Sequence, residues 1–137
     1  MRYVLDADIL IGALDSSDAH HQQSRRLFVT WREQDDILLV SVVNLSEVLV
    51  APAADRKRLR AAREALAALG VTVHSPTEAI GVDASRMRSR HPISLPDGYL
   101  LATAKHTGAT AVSFDQKVMR AAEAERIPAG VGRRRGR

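Results

Sequence analysis

Two carboxylates one residue apart close the first apolar stretch of the chain, where Tyr3-Val4-Leu5 runs into Asp6-Ala7-Asp8. Three more acids, Glu47, Asp97 and Asp115, stand at or beside the starts of expected helices. Carboxylates gathered in one place repel one another unless they are protonated or neutralised by a cation. No arginine lies beside these five in sequence to neutralise them. An oxygen-rich cluster of this kind favours Mg²⁺ or Mn²⁺ with several waters retained. A metal so held lowers the pKa of a bound water and orients in-line attack on phosphorus. No Ser-His-Asp order is visible, and the absence of cysteine removes disulfides and thiolate metal sites. His20, His21, His74, His91 and His106 show no metal-ligand spacing and read as structural or surface residues.

The elements that must position the acids follow from hydrophobic pattern and capping. Residues 2–6 read as a buried parallel strand, and Ile9 to Leu14 as a short helix capped by Asp6 or Asp8. Asp18 is expected to cap a second helix to about Glu33, with Leu27, Phe28 and Trp31 on its core face. Ile37 to Val42 is a continuous apolar strand. Asn44-Leu45-Ser46-Glu47 then matches a capping box opening a short helix that Pro52 ends. Asp55 caps a helix from Arg56 to Leu69, stopped by Gly70. Val71 to His74 is a short strand, and Thr77 opens a helix to about Arg90. Ser94 to Asp97, with Pro96 in the first turn, opens a helix ending at Gly108. Thr110 to Phe114 is a fourth strand, Asp115 caps a helix to about Arg126, and residues 127–131 form a short edge strand.

Strands separated by helices, without hairpin turns, predict an α/β three-layer sandwich on a mostly parallel sheet of four to five strands. In such a sheet, a helix directly after a strand starts at the strand's carboxyl edge. A helix directly before a strand runs antiparallel to it and starts at that edge too. Asp6, Asp8, Glu47, Asp97 and Asp115 therefore all fall on one edge, where open α/β sheets bind ligands. Helix capping accounts for any one of them singly; five at one edge call for a cation. Asp83 and Glu78 receive no such placement.

At 137 residues the chain is long enough for one well-cored domain. Aromatics make up only 4%, which argues against broad base-stacking platforms. The net charge of +4 is carried by Arg133, Arg134, Arg135 and Arg137, and the rest of the chain balances. The expected organisation is a domain over residues 1–131 and a disordered basic tail over 132–137. With no signal-peptide pattern and no apolar run approaching ~18 residues, a cytoplasmic protein without a membrane span is expected.

Leu5-Asp6-Ala7-Asp8-Ile9-Leu10-Ile11, Leu45-Ser46-Glu47-Val48, Leu95-Pro96-Asp97 with Ala102-Thr103-Ala104, and Val112-Ser113-Phe114-Asp115 resemble the PIN-domain ribonucleases. Size and coverage are similar to the VapC toxins of bacterial toxin–antitoxin pairs. The resemblance implies a Mg²⁺- or Mn²⁺-dependent endoribonuclease acting on RNA, dimeric, and held inactive by a cognate VapB-like antitoxin. It aligns Asp6, Glu47, Asp97 and Asp115 with the family's acidic quartet, and Ser113 with a hydroxyl position that helps order the site. Asp8 stands where the family often has Asn or Ser, as a cap or a further metal ligand. On this expectation Asp6, Asp97, Asp115 and Asp8 hold the metal and Glu47 positions the attacking water. Hydrolysis then leaves 5′-phosphate and 3′-hydroxyl ends. The segment from Asn44 to Leu69 resembles the region for antitoxin and dimer contacts, and carries a basic face at Arg56, Lys57, Arg58, Arg60 and Arg63. That face, the Arg86–Arg90 cluster or the tail can hold RNA phosphates.

Two other classes fit parts of the pattern. A haloacid-dehalogenase-like phosphatase would use Asp6 as nucleophile and Asp8 as acid/base. It also needs a lysine near the phosphate and a later acid pair; only Lys57, Lys105 and Lys117 are present, and no Asp-Asp follows Asp36. A non-catalytic RNA-binding or regulatory module of the same fold is the other. It leaves the repulsion among the acids unexplained.

Overall fold

The computed structural model describes residues 1–130. The basic tail and Val131 lie outside the described residues. Five strands, β1 (Arg2–Leu5), β2 (Ile37–Ser41), β3 (Val71–His74), β4 (Thr110–Val112) and β5 (Ala129–Gly130), form one sheet in the order β3-β2-β1-β4-β5. Every pairing is parallel. The helices are α1 (Ala7–Leu14), α2 (His21–Glu33), α3 (Val42–Leu49), α4 (Arg56–Ala68), α5 (Glu78–Arg90), α6 (Leu95–Thr107) and α7 (Gln116–Ala124), with a 3₁₀ turn at Pro52–Ala54. None of these helices is long and apolar enough to cross a membrane.

The central strand shows why the sandwich has three layers. Side chains alternate across a strand, so Val4 packs into a core with α5, α6 and α7, while Tyr3 and Leu5 enter a second core with α1, α2, α3 and α4. Val4 and Leu5 are fully buried on opposite faces. On the second face, Trp31 sits 5.4 Å from Tyr3 and meets Phe28 edge-on at 5.0 Å. On the first, α6 buries Leu100, Leu101, Ala102 and Ala104 almost completely. Each leucine so buried contributes about 1.5–3 kcal/mol.

Helix ends follow the sequence reading at most points. Asp55 accepts from the N–H groups of Lys57 and Arg58, Thr77 from Ile80, and Asp115 from Lys117. Ser94 and Asp97 form a reciprocal capping box, with Gly108 in the left-handed conformation ending α6. Two expectations are corrected. The Asp18 carboxylate accepts from the His20 N–H at 2.8 Å, a turn ahead of α2, which starts at His21 with no side-chain cap. Asn44 does not open its helix. Ser41 ends the strand and caps α3 through the Val43 N–H, so the apolar Val42 and Val43 are already helical and Asn44 lies inside.

The contact between α5 and α6 depends on a missing side chain. An added Cβ at Gly98 in α6 would stand 2.5 Å from the Ala84 carbonyl oxygen of α5, which is backbone and cannot move aside. At Gly81 in α5 it would meet only the Tyr99 hydroxyl, at 3.4 Å. Gly98→Ala is therefore expected to lower stability by about 1–3 kcal/mol in urea unfolding, overcoming the ~1 kcal/mol helix gain that Gly81→Ala should show. Equal stabilisation by both would contradict the packing.

Candidate active site

The order of the sheet reverses between β1 and β4. The chain steps from β1 to β2 to β3, then crosses back to β4 on the other side of β1. The carboxyl ends of β1 and β4 thus flank the switch point where α/β sheets form their crevice. β1 delivers Asp6 and Asp8 there, and the residues just after β4 deliver Ser113, Phe114 and Asp115.

Asp6 is 6% exposed and engaged through both carboxylate oxygens. Oδ1 accepts from the Ala7 N–H at 2.7 Å as the cap of α1, and Oδ2 accepts from the Ser113 hydroxyl at 2.6 Å. Ser113 is fully buried, and its oxygen in turn accepts from the Asp115 N–H at 3.0 Å. β4 ends at Val112, earlier than expected, and this frees the next two residues to turn toward the acids. The Phe114 N–H donates to Asp8 Oδ2 at 3.0 Å, which also lies 3.4 Å from the Ser113 oxygen. A hydroxyl has one proton to give, and the shorter distance assigns it to Asp6. One hydroxyl and one amide thereby hold two carboxylates against each other.

That arrangement is electrostatically costly. Burial, then the Asp8 charge, pushes the Asp6 carboxyl up to about 7, with Asp97 adding to the rise against the Ser113 and Ala7 hydrogen bonds. Burial raises Asp8 to about 6, with Asp115 adding and the Phe114, Ser113 and Ile9 hydrogen bonds opposing. Glu47 is raised too, by partial burial of its carboxyl on an otherwise exposed side chain, with Asp97 contributing. The sequence-selected acids therefore form a chain of repulsions: Asp6 with Asp8 and Asp97, Asp8 with Asp115, and Glu47 with Asp97. Asp83 does not join them. It bonds His106 at 2.7 Å and pairs with Arg86 and Lys105.

One residue of the site escaped the sequence reading. Asn44 is fully buried, and its amide donates to Glu47 Oε1 at 3.4 Å and to the Pro96 carbonyl at 3.1 Å. Both partners are acceptors, so the NH₂ group must face them. Asn44 thus ties the Glu47 carboxylate to the first turn of α6, which carries Asp97. A polar residue inside an otherwise apolar helix turn was the available signal; the capping-box pattern masked it.

The residues fit a divalent cation. All the donors are oxygen, the buried Asp6 and the half-buried Asp8 are held in mutual repulsion, and the Asp8 Oδ1 atom is enclosed with no hydrogen-bond partner among the described residues. Among the described residues, no group of three or more His, Asp or Glu side chains is arranged to hold a metal ion. The site is a preformed acid pair with flanking acids.

Comparison with known proteins agrees with this architecture. The sequence profile of the PIN domain matches residues 3–124. The chain belongs to the PIN-domain family. Curated proteins give no significant sequence match. Among solved structures, VapBC2 from Rickettsia felis, bound to a promoter DNA fragment, superposes with a TM-score of 0.75 at 13% identity, covering 96% of this chain and 98% of that one. VapC20 from Mycobacterium tuberculosis, a toxin that cleaves the sarcin-ricin loop, gives 0.71 at 20% identity over 87% and 94%. A toxin–antitoxin complex from Klebsiella pneumoniae gives 0.69 at 20% over 85% and 89%. At these identities the likeness is one of fold.

The raised carboxyls fix the sign of a pH dependence. From about pH 4 to about 7 the folded PIN domain holds protons that the unfolded chain, with its carboxyls near 3.8, has released. Stability in the presence of a chelator is therefore expected to fall as pH rises through that window, by a few kcal/mol at most, and to level off above it. Asp6→Asn keeps a good helix cap and should raise the melting temperature at pH 8 more than at pH 5. Thermal melts at both pH values check this, and an unchanged difference would contradict it.

Proposed function

We propose that this PIN domain is a Mg²⁺- or Mn²⁺-dependent endoribonuclease and the toxin of a VapBC-type pair. The observation that carries the reading is the pair of the buried Asp6 and the half-buried Asp8, clamped by Ser113 and Phe114 at the switch point and coupled to Asp97 and Asp115, with Glu47 in turn coupled to Asp97. Asp6, Asp8, Asp97 and Asp115 would hold the cation, which when bound neutralises phosphoryl oxygens and favours ionisation of water. Ser113 keeps Asp6 oriented by donating to Oδ2, leaving the carboxylate restrained before substrate arrives. Glu47, held by Asn44 and raised by its surroundings, is placed to orient a water and accept its proton during attack on the phosphodiester. The 3′-oxygen leaves, giving 5′-phosphate and 3′-hydroxyl ends.

Two grooves bear on partners. One of about 660 Å³ runs from Glu47 between α1, α3 and α4, lined by Ile11, Leu14, Val48 and Ala65. It suits the apolar face of an antitoxin helix, with Asp15, Glu47 and Arg58 as the charged residues of its lining. A second, of about 670 Å³, places Arg56, Arg60 and Arg63 beside Val71 and Val73 on the β3 edge. RNA phosphates on this basic face belong to the same reading, as do a homodimer and a cytoplasmic location, which rest on the family resemblance. The phosphatase reading loses support, because the chain matches the PIN domain over residues 3–124 and lacks the later acid pair that chemistry needs.

Incubation of total RNA with purified wild type, Asp6→Asn and Asp97→Asn, with Mg²⁺, Mn²⁺ or chelator, tests the proposal. Metal-dependent cleavage with 5′-phosphate ends is expected, reduced at least ~10²-fold in each variant, the scale of losing one electrostatic stabiliser of a transition state. Persistent cleavage in Asp6→Asn would remove the metal-site argument. Intact RNA from metal-loaded wild type that still binds RNA would favour the non-catalytic reading.

A further inference from the structure

Phe114 lies between Ser113 and Asp115, its own N–H is bonded to Asp8, and its half-buried ring packs against the core beneath the acid edge. The His20 imidazole stacks on that ring with centroids 4.1 Å apart and planes 11° from parallel. His20 comes from the turn before α2, more than ninety residues away in sequence. The turn is fixed: Asp18 accepts from the His20 N–H at 2.8 Å, and the Ser24 N–H donates to the His20 carbonyl at 2.9 Å. With one face on Phe114, the His20 side chain still leaves 47% of its surface open. Its Nδ1 lies 3.9 Å from the Asp18 carboxylate of its own turn, none of the acids of the site bonds to it, and core packing does not account for a ring so exposed.

We propose that the open side of His20 is a stacking platform for one nucleobase flanking the scissile phosphate of single-stranded RNA. The inference rests on the nuclease reading and adds to it a subsite and a class of contact. Unpaired bases are recognised by stacking on aromatic rings, histidine included. Carboxylates repel RNA phosphates, so a π contact next to the acids supplies affinity that side-chain contacts to phosphate cannot give at this edge. Scarce aromatics do not prevent this, because one imidazole backed by Phe114 suffices for one base.

The test uses a pentaribonucleotide spanning the cleavage site mapped for the wild type, with 2-aminopurine placed in turn on each side of the cleaved bond. Losing one stacked base corresponds to about 1–3 kcal/mol. His20→Ala is therefore expected to raise KM roughly 5- to 150-fold at nearly unchanged kcat, and to abolish the quenching of 2-aminopurine seen on binding to wild type. His20→Phe restores both. Unchanged KM and quenching in His20→Ala overturn the platform while leaving the nuclease reading intact. A loss in His20→Ala that His20→Phe does not restore, or weakened antitoxin binding with normal RNA kinetics, also overturns it. Wild type that cleaves no RNA with any metal overturns both readings together.

Discussion

Two carboxylates that would separate in water are held together in the crevice between β1 and β4. The Ser113 hydroxyl and the Phe114 amide hold them there, and the arrangement of the surrounding chain serves that contact. Asp6 needs the end of β1 and the first N–H of α1; Asp8 needs the bend after β4. Neither partner is local in sequence, with more than a hundred residues between Asp6 and Ser113. The parallel pairing of β1 with β4 is what makes them neighbours.

The same constraint explains the rest of the edge. Asp97 is useful for its own helix, since it closes the capping box with Ser94, yet its charge also raises Asp6 and Glu47. Asp115 caps α7 and lies close enough to Asp8 to raise it. Capping and site chemistry are therefore not alternatives here. A helix start at a carboxyl edge directs an acid both at its own N–H groups and into the crevice. Asn44 then couples α3 to α6, so that the Glu47 carboxylate and the Asp97 turn are positioned together.

Much of this was legible in the chain because it depends on local rules. Apolar strands followed by capped helices placed Asp6, Glu47, Asp97 and Asp115 on one edge without any knowledge of strand order. A mostly parallel sheet of four to five strands followed from the same alternation, and the sheet has five strands, all parallel. What could not be read is whatever depends on distant residues meeting. Asn44 satisfied a capping-box pattern, and only the position of Pro96 reveals that its amide is used elsewhere. The start of α3 was misplaced because Val42 and Val43 continue an apolar run, whereas Ser41 supplies the competing cap. Asp18 was assigned to α2 by residue type, but the chain spends that carboxylate on its own turn. His20 gave no signal, since its partner lies at the far end of the chain.

If a divalent cation relieves the Asp6–Asp8 repulsion, its binding must expel protons that the pair retains near neutrality. Calorimetric titration of the metal-free protein with Mn²⁺ at pH 6.5, in two buffers of different ionisation enthalpy, measures that release directly. The account predicts binding with release of about one proton at pH 6.5 and close to none at pH 8.5, both lost in Asp6→Asn. Binding without proton release, or unaltered binding in Asp6→Asn, would contradict it.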